Sequence, residues 1–184
     1  MIMGCRYKAV IFDLHDTLIH CQAQAPIEDV PSDQMVMVPC KNTVRMLRYL
    51  KKQGVMIGLL TRCARSFTEY CLRICHLDKL IDTEVCAFDY PEVETKPNPI
   101  AVRRILERLE EQFRETIPLD RCLFVGDTYV DYLCSLSAGM DFLGFAYNDR
   151  QRTSLMQMGV HTDSIIADYQ ELIDRFEAQK SLPK

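Results

Sequence analysis

Short apolar segments alternate with amphipathic segments along almost the whole of this 184-residue chain. The apolar segments have the length and composition of buried strands, and they are residues 8–14, 55–60, 84–88, 121–125, 142–146 and 164–167. The amphipathic segments repeat apolar residues at helical spacing, and they are residues 42–53, 65–76, 98–114, 129–138, 150–158 and 169–180. Strands that alternate with helices in this way predict βαβ units, and therefore an α/β fold with a mostly parallel sheet flanked by helices.

The length and the apolar content fit one domain. Hydrophobic residues make up 48% of the chain, which is enough for a substantial core, so we expect a single domain over residues 1–184. Residues 19–41 form one long irregular segment with three prolines, at positions 26, 31 and 39. Because loops of this length in compact domains are usually functional or mobile, we expect a flap or a small cap insert there. Residues 181–184 are expected to be a tail.

Charge and targeting signals exclude several classes of partner. The net charge of −4 gives no reason to expect broad nucleic-acid binding. The first apolar stretch is too short for a signal peptide or a membrane span, so we expect a cytoplasmic protein that does not bind membranes. Most of the nine cysteines lie inside apolar runs, as reduced cysteines of a cytosolic protein do. Cys71, Cys75 and His76 are clustered, but no second ligand pair follows, so metal binding there is left open.

Chemically active side chains follow the predicted strands. An acid ends the first strand, a hydroxyl and an arginine follow the second, a lysine precedes the long helix, and two acids follow the fourth. In chain order they are Asp13, Thr61, Arg62, Lys96, Asp127 and Asp131. Open α/β folds bind ligands at the carboxyl edge of the sheet, so we expect these groups to converge there.

This set of groups suits a phosphate and a divalent cation. The oxygens of Asp13 and Asp127 are ligands that Mg²⁺ prefers, and Mg²⁺ needs few protein ligands. Thr61 and nearby backbone N–H groups are suited to hold phosphate oxygens. Lys96 offsets the charge that would keep a carboxylate and a phosphate apart.

The same residues resemble the four motifs of the haloacid dehalogenase superfamily of hydrolases. The segment Asp13-Leu14-His15-Asp16-Thr17 is similar to the first motif, Asp-x-Asp-x-Thr. Thr61 resembles the second motif and Lys96 in Lys-Pro-Asn-Pro the third. Asp127 and Asp131 resemble the fourth, and the resemblance extends from Val10 to about Leu172.

The resemblance implies a Rossmann-like three-layer fold and phosphoryl transfer through an aspartate. Asp13 would be the nucleophile, and Mg²⁺ would be held by Asp13, the backbone carbonyl of His15 and Asp127. Asp131 would order either waters of the metal or Lys96. We further expect a substrate-binding role for the following residues: Thr17, Thr61, Arg62 and Lys96. A role of Arg65 beside Arg62 is a weaker expectation, because arginines at a helix start are mostly solvated.

His15 departs from the family pattern. The corresponding family residue is an Asp that protonates the leaving oxygen and then activates water. Imidazole, with an ordinary pKa near 6.5, is able to donate and accept a proton near neutral pH, so His15 is a candidate acid–base residue. Mg²⁺ would lower the pKa of His15 and the neighbouring acids would raise it, and the sequence does not give the sign. The alternative is that His15 only packs against the 19–41 segment.

Three classes of function follow. The first is a Mg²⁺-dependent phosphatase acting on a phosphate monoester, either a small molecule or a protein. The second is a phosphate-binding, metal-binding or scaffolding protein with little turnover, and the third is other aspartate-nucleophile chemistry such as C–halogen or C–P cleavage. Residues 61–96 leave no room for a large helical cap, so the resemblance implies an open site unless an oligomer covers it.

Overall fold

The computed structural model describes residues 6–22 and 36–180. The strands are β1 (Ala9–Phe12), β2 (Ile19–Gln22), β3 (Val36–Pro39), β4 (Met56–Ala64), β5 (Thr83–Ala87), β6 (Cys122–Gly126), β7 (Asp141–Phe145) and β8 (Ile165–Ile166). The helices are α1 (Thr43–Lys52), α2 (Arg65–Ile74), α3 (Ile100–Phe113), α4 (Tyr129–Ala138), α5 (Asp149–Gln157) and α6 (Tyr169–Lys180). Every predicted strand and helix is therefore present. The 181–184 segment lies outside the described residues.

Six of the strands form one parallel sheet in the order β5-β4-β1-β6-β7-β8. All four residues of β1 are fully buried, as expected for a central strand covered on both faces. The neighbours of β1 are β4 and β6, so the carboxyl ends of these three strands lie side by side. The predicted parallel α/β fold is confirmed.

Alternate residues of β1 face two different cores. Val10 and Phe12 pack with residues of α1, α2 and α6, whereas Ala9 and Ile11 pack with residues of α3 and α4. Helices thus cover both faces of the sheet, and the result is the three-layer arrangement that the resemblance implied. The sheet and α3 pack closely at Gly58 in β4, where an added Cβ would lie 2.9 Å from Ile105 Cγ1.

The long irregular segment contains a small second sheet. Strands β2 and β3 pair antiparallel, with Ile19 opposite Pro39 and Gln22 opposite Val36. Residues 23–35, which join them, lie outside the described residues. None of the helices described is long and apolar enough to cross a membrane.

Candidate active site

Three carboxylates meet at the carboxyl edge of the sheet. Asp13 directly follows β1 and Asp127 directly follows β6, and Asp131 lies in the first turn of α4. Because β1 and β6 pair in register, the Asp13 N–H donates to the Val125 carbonyl oxygen at 3.0 Å, which fixes the end of β1 beside β6. One carboxylate oxygen from each of the three acids lies within 4.8 Å of the others. The structure thus brings together the acids that the sequence placed at this edge.

Lys96 lies among these acids. Its side chain is buried, and its ammonium group donates to Asp13 Oδ1 and, at 2.6 Å, to Asp131 Oδ1. Burial alone would lower the pKa of Lys96, but the charges of Asp13 and Asp131 and their hydrogen bonds raise it well above its ordinary value. Lys96 is therefore a fixed positive charge shared by two carboxylates.

Asp131 is also held by the start of its own helix. Asp131 Oδ2 accepts from the Thr128 backbone N–H at 3.1 Å and from the Thr128 hydroxyl at 2.6 Å. The Thr128 side chain in turn accepts from the Asp131 backbone N–H, which completes a capping box. An added Cβ on Gly126, the last residue of β6, would lie 2.5 Å from the Asp131 Cβ, so only glycine fits at this position. Both oxygens of Asp131 are thus occupied, which fits a residue that orients Lys96.

One lysine does not balance three carboxylates. Burial raises the pKa of Asp127 to about 8, and the charges of Asp13 and Asp131 add to this effect. Burial also raises the pKa of Asp13, to about 6, against the lowering effect of Lys96. Groups that resist ionisation in this way need further positive charge, and their oxygens are the ligand type that Mg²⁺ or a similar hard cation accepts. The donor set therefore fits a divalent cation.

Thr17 and Gln151 hold Asp127. The Thr17 hydroxyl donates to Asp127 Oδ1 at 3.1 Å, and the Gln151 amide donates to Asp127 Oδ2 at 3.5 Å. Thr17 is fully buried beside Asp127. The Thr17 hydroxyl thus positions Asp127, and the substrate-binding role that the resemblance implied for Thr17 stays a prediction.

Thr61 lies inside β4 rather than after it, because the strand continues beyond its predicted end at residue 60. The pairing of β4 with β5 shifts register between Leu60 and Ala64, and Thr61 lies within this irregular stretch. The Thr61 hydroxyl is nearly buried and accepts from the Cys63 N–H at 3.1 Å.

Two arginines follow, with different surroundings. Arg62 is exposed and lines an open groove of about 600 Å³ that Lys96 also lines. Arg65 is paired with Glu84 and Asp89, each at 2.6 Å. The structure therefore leaves Arg62 available to a substrate and commits Arg65 to an ion-pair network.

His15 lies two residues beyond Asp13 and is partly exposed, with 38% of its side-chain surface accessible. Its Nδ1 lies 3.5 Å from Asp16 Oδ2. The hydrogen bond to Asp16 raises the pKa of His15, burial opposes this, and the charges of Asp16, Asp13 and Asp127 raise it further, with a net increase. Without a bound cation, the neighbouring acids thus raise the pKa of His15, as the sequence analysis expected of them.

Three residues near the site carried no recognisable sequence signal: Gln151, Tyr147 and His20. Gln151 and Tyr147 follow β7, whose carboxyl end lies at the same sheet edge, so topology was the one available clue. From the sequence alone, His20 is interpreted as a surface or space-filling residue without a functional role. In the structure its ring stacks on Tyr147, with centroids 5.3 Å apart and planes at 25°.

The cysteine–histidine cluster does not form a metal site in the described part of the chain. Cys71 and Cys75 are buried in the core, and burial raises the pKa of the Cys71 thiol to about 12. His76 is exposed. Among residues 6–22 and 36–180, the three acids described above are the one cluster with ligand atoms close enough to share an ion.

Comparison with known proteins agrees with these motifs. The family described as haloacid dehalogenase-like hydrolase matches residues 27–145, a range that begins after Asp13 and includes Thr61, Lys96 and Asp127. Pyrophosphatase PpaX of Bacillus mycoides is 33% identical over 106 residues, 58% of this chain and 46% of the relative. PpaX of Bacillus cereus strain G9842 is 34% identical over 93 residues, 50% of this chain and 39% of the relative. The matches thus span less than half of the length of these curated relatives.

Solved structures are similar in fold. A predicted phosphoglycolate phosphatase from Haemophilus somnus superposes with a TM-score of 0.71 at 17% identity, over 92% of this chain and 98% of the other. A superfamily hydrolase of subfamily IA from Geobacter sulfurreducens superposes with a TM-score of 0.67 at 19% identity, over 94% and 98%. At these identities the likeness concerns the fold.

Proposed function

Because the chain belongs to the haloacid dehalogenase-like hydrolase family, we propose that it is a Mg²⁺-dependent phosphatase. Its reaction is the hydrolysis of a phosphate monoester through an aspartyl-phosphate on Asp13. The observation that carries this proposal is the cluster in which the buried Lys96 bridges Asp13 and Asp131, with an oxygen of Asp127 within 4.8 Å of both acids. Such a cluster combines a nucleophile, a fixed cation and the ligands of a second cation.

In the first half of the reaction, an oxygen of Asp13 attacks phosphorus. A P–O bond to Asp13 forms, the P–O bond to the leaving group breaks, and the leaving oxygen takes up a proton. In the second half, water attacks phosphorus and gives up a proton, the P–O bond to Asp13 breaks, and inorganic phosphate leaves the restored Asp13 carboxylate. Lys96 orients Asp13 and offsets the negative charge that accumulates when a phosphate approaches three acids.

Asp13, the backbone carbonyl of His15 and Asp127 would hold Mg²⁺. When bound, the ion supplies positive charge that favours ionised Asp13 and Asp127 and neutralises phosphate oxygens. Thr17 and Gln151 keep Asp127 in place through the hydrogen bonds described above. Asp131 orients Lys96 in this proposal, since its Oδ1 accepts from the Lys96 ammonium at 2.6 Å and its Oδ2 is held by the Thr128 hydroxyl.

His15 transfers the protons in this proposal. It lies two residues beyond the nucleophile in the chain and is partly exposed, so it is accessible to a leaving group and to water. Loss of a well-placed acid–base residue typically costs about 10²–10⁴ in rate, so an imperfectly placed His15 would slow alkyl phosphates most. The curated relatives are named pyrophosphatases, and a leaving phosphate needs less protonation than a leaving alcohol. Pyrophosphate therefore belongs among the test substrates.

Thr61 and Lys96 contact the phosphate, and Arg62 binds a second anionic group of the substrate along the groove beside Lys96. This open groove accepts either a small phosphorylated molecule or a phosphoprotein. The chain acts as a single cytoplasmic domain in this proposal, with residues 19–41 as its flap. This proposal also allows an oligomer in which a second copy of the chain covers the site.

The second candidate is a phosphate-binding or metal-binding protein with little turnover, and the observation that favours it is His15 in place of the usual Asp. A screen of phosphorylated compounds, including pyrophosphate, p-nitrophenyl phosphate and phosphopeptides, separates the two. Each compound is assayed with Mg²⁺, with EDTA and with the Asp13→Asn protein.

Turnover that needs both Mg²⁺ and Asp13 supports the phosphatase. Phosphate or Mg²⁺ binding without turnover supports the second candidate. Turnover retained by Asp13→Asn contradicts the proposed mechanism.

A further inference from the structure

Tyr147 contacts three separate parts of the site from the loop between β7 and α5. Its ring stacks on His20 of β2 with centroids 5.3 Å apart, and its hydroxyl donates to Asp16 Oδ1 at 3.4 Å. Its backbone N–H donates to Gln151 Oε1 at 3.2 Å, and the amide nitrogen of the same Gln151 donates to Asp127 Oδ2 at 3.5 Å. One residue thus touches the flap strand, the turn after Asp13, and a residue that holds Asp127.

The turn that Tyr147 contacts has an unusual backbone. Asp16 has a φ of 58°, in the left-handed region that costs most residues roughly 1–2 kcal/mol and that Asp tolerates better. The Asp16 N–H donates to the Ile19 carbonyl oxygen at 2.6 Å, which ties the turn to the start of β2. A turn of this kind keeps its shape only while its surroundings hold it.

The two oxygens of Asp16 face different partners. Oδ1 accepts from Tyr147, and Oδ2 lies 3.5 Å from His15 Nδ1. When Tyr147 fixes one oxygen, it fixes the side-chain rotamer and therefore the position of the oxygen that faces His15.

We propose that Tyr147 is a positioning residue: it holds the Asp16 carboxylate that orients His15 and, through its ring, anchors the flap strand β2 at the edge of the site. This inference rests on the proposed function, since it gives the orientation of His15 a role in proton transfer to the leaving group. The hydroxyl acts on His15, and the ring acts on the flap.

The two contacts are separable by mutation. Tyr147→Phe removes the hydroxyl and keeps the ring on His20. For this variant we expect kcat on an alkyl phosphate to fall roughly 3–10-fold, because one hydrogen bond to a charged group is lost at a partly exposed position. KM should stay within about twofold, and kcat on p-nitrophenyl phosphate should change less, because its leaving group needs little protonation. Tyr70→Phe, which changes an exposed tyrosine of α2, is the matched control and should behave as the wild type.

Hydrogen exchange of the β2 amides tests the ring contact without relying on turnover. His20→Ala and Tyr147→Ala should increase exchange in Ile19–Gln22, whereas Tyr147→Phe and His20→Phe should keep the wild-type protection. Unchanged exchange in both alanine variants would contradict the anchoring of the flap.

The kinetic outcomes separate this inference from the proposed function. If Asp13→Asn is inactive and Tyr147→Phe equals the wild type on both substrates, the inference fails and the phosphatase remains. An equal loss on both substrates would mean a structural role only and would also overturn it. If Asp13→Asn retains turnover, or if the wild type has none, the proposed function fails and the role given to Tyr147 fails with it.

Discussion

Replacing Asp127 with Asn should make the metal-free protein more stable, although it removes a ligand of the proposed ion. Asp127 is largely buried, near Asp13 and Asp131, and its pKa is raised to about 8. At neutral pH the folded protein therefore binds a proton on Asp127 that the unfolded chain does not bind. Asn carries no charge at any pH, and its amide oxygen is still able to accept from the Thr17 hydroxyl.

The size of this effect follows from the pKa shift. A group whose pKa is higher in the folded state contributes full stability below its unfolded pKa, and the contribution is lost as pH rises through the folded pKa. For Asp127 that window runs from the ordinary 3.8 to about 8. From the ordinary pKa of 3.8 to pH 7 is about three pH units, and each unit corresponds to about 1.4 kcal/mol. The loss of stability that Asp127 causes at pH 7 therefore has an upper limit of about 4 kcal/mol. The side chain is partly solvent-exposed, so we expect a gain of roughly 1–4 kcal/mol for Asp127→Asn at pH 7.

Urea unfolding in EDTA at a series of pH values between 4 and 8 measures the effect. The wild type should lose stability as pH rises through this window, and Asp127→Asn should lose less. Added Mg²⁺ should then stabilise the wild type and not the variant, because binding to the folded state alone raises its stability. Asp78→Asn, which neutralises an exposed acid on another part of the surface, is the matched control and should change little. The reasoning is refuted if Asp127→Asn is less stable than the wild type in EDTA across the whole series.

Three further predictions concern charged or titratable residues other than Asp127. Lys96→Met should lower the free energy of unfolding, measured in urea, by about 3–5 kcal/mol, because it leaves the buried carboxylates of Asp13 and Asp131 without their ammonium partner. The double variant Lys96→Met/Asp13→Asn should recover part of this loss. Strictly additive effects of the two substitutions would contradict the pairing. His15→Asp should raise kcat on alkyl phosphates in steady-state assays, and no rise with the fold intact would remove His15 as the limiting residue. Burial raises the pKa of Asp89. Hydrogen bonds from Arg65 and from the Cys86 backbone N–H lower the pKa by a larger amount, so the net shift is downward. Asp89→Asn should therefore destabilise the protein by about 1–3 kcal/mol at pH 7, and this difference should shrink as pH falls through the lowered pKa; a difference that stays constant down to pH 3 would argue against the ion pairs.

The sheet and the meeting of Asp13 with Asp127 could be predicted from the sequence because both follow from periodicity. Apolar strands that alternate with helices fix a parallel sheet, and a parallel sheet places all carboxyl ends at one edge. Asp13, Lys96 and Asp127 each lie next to an element whose pattern is clear in the chain. The convergence of these three residues could therefore be predicted without knowledge of side-chain packing.

Other features depend on packing between distant segments. Thr17 fits the motif pattern, but its burial under Asp127 depends on a contact 110 residues away along the chain. The hydroxyl of Tyr147 reaches Asp16 across 131 residues, and nothing in the local sequence marks either partner. The end of β4 was misplaced because its continuation depends on pairing with β5 after a register shift. The pKa of His15 depends on distances to several acids, and composition does not supply those distances.

The central claim is that Asp13 carries the phosphoryl group, and the most direct test is to map the covalent intermediate. The protein is mixed with ³²P-labelled substrate and Mg²⁺, quenched during turnover, digested and sequenced by tandem mass spectrometry. We predict a hydroxylamine-labile label on the peptide that contains Asp13, absent in EDTA and absent from Asp13→Asn. A label on the imidazole of His15, or turnover in Asp13→Asn with no labelled aspartate, would contradict the account.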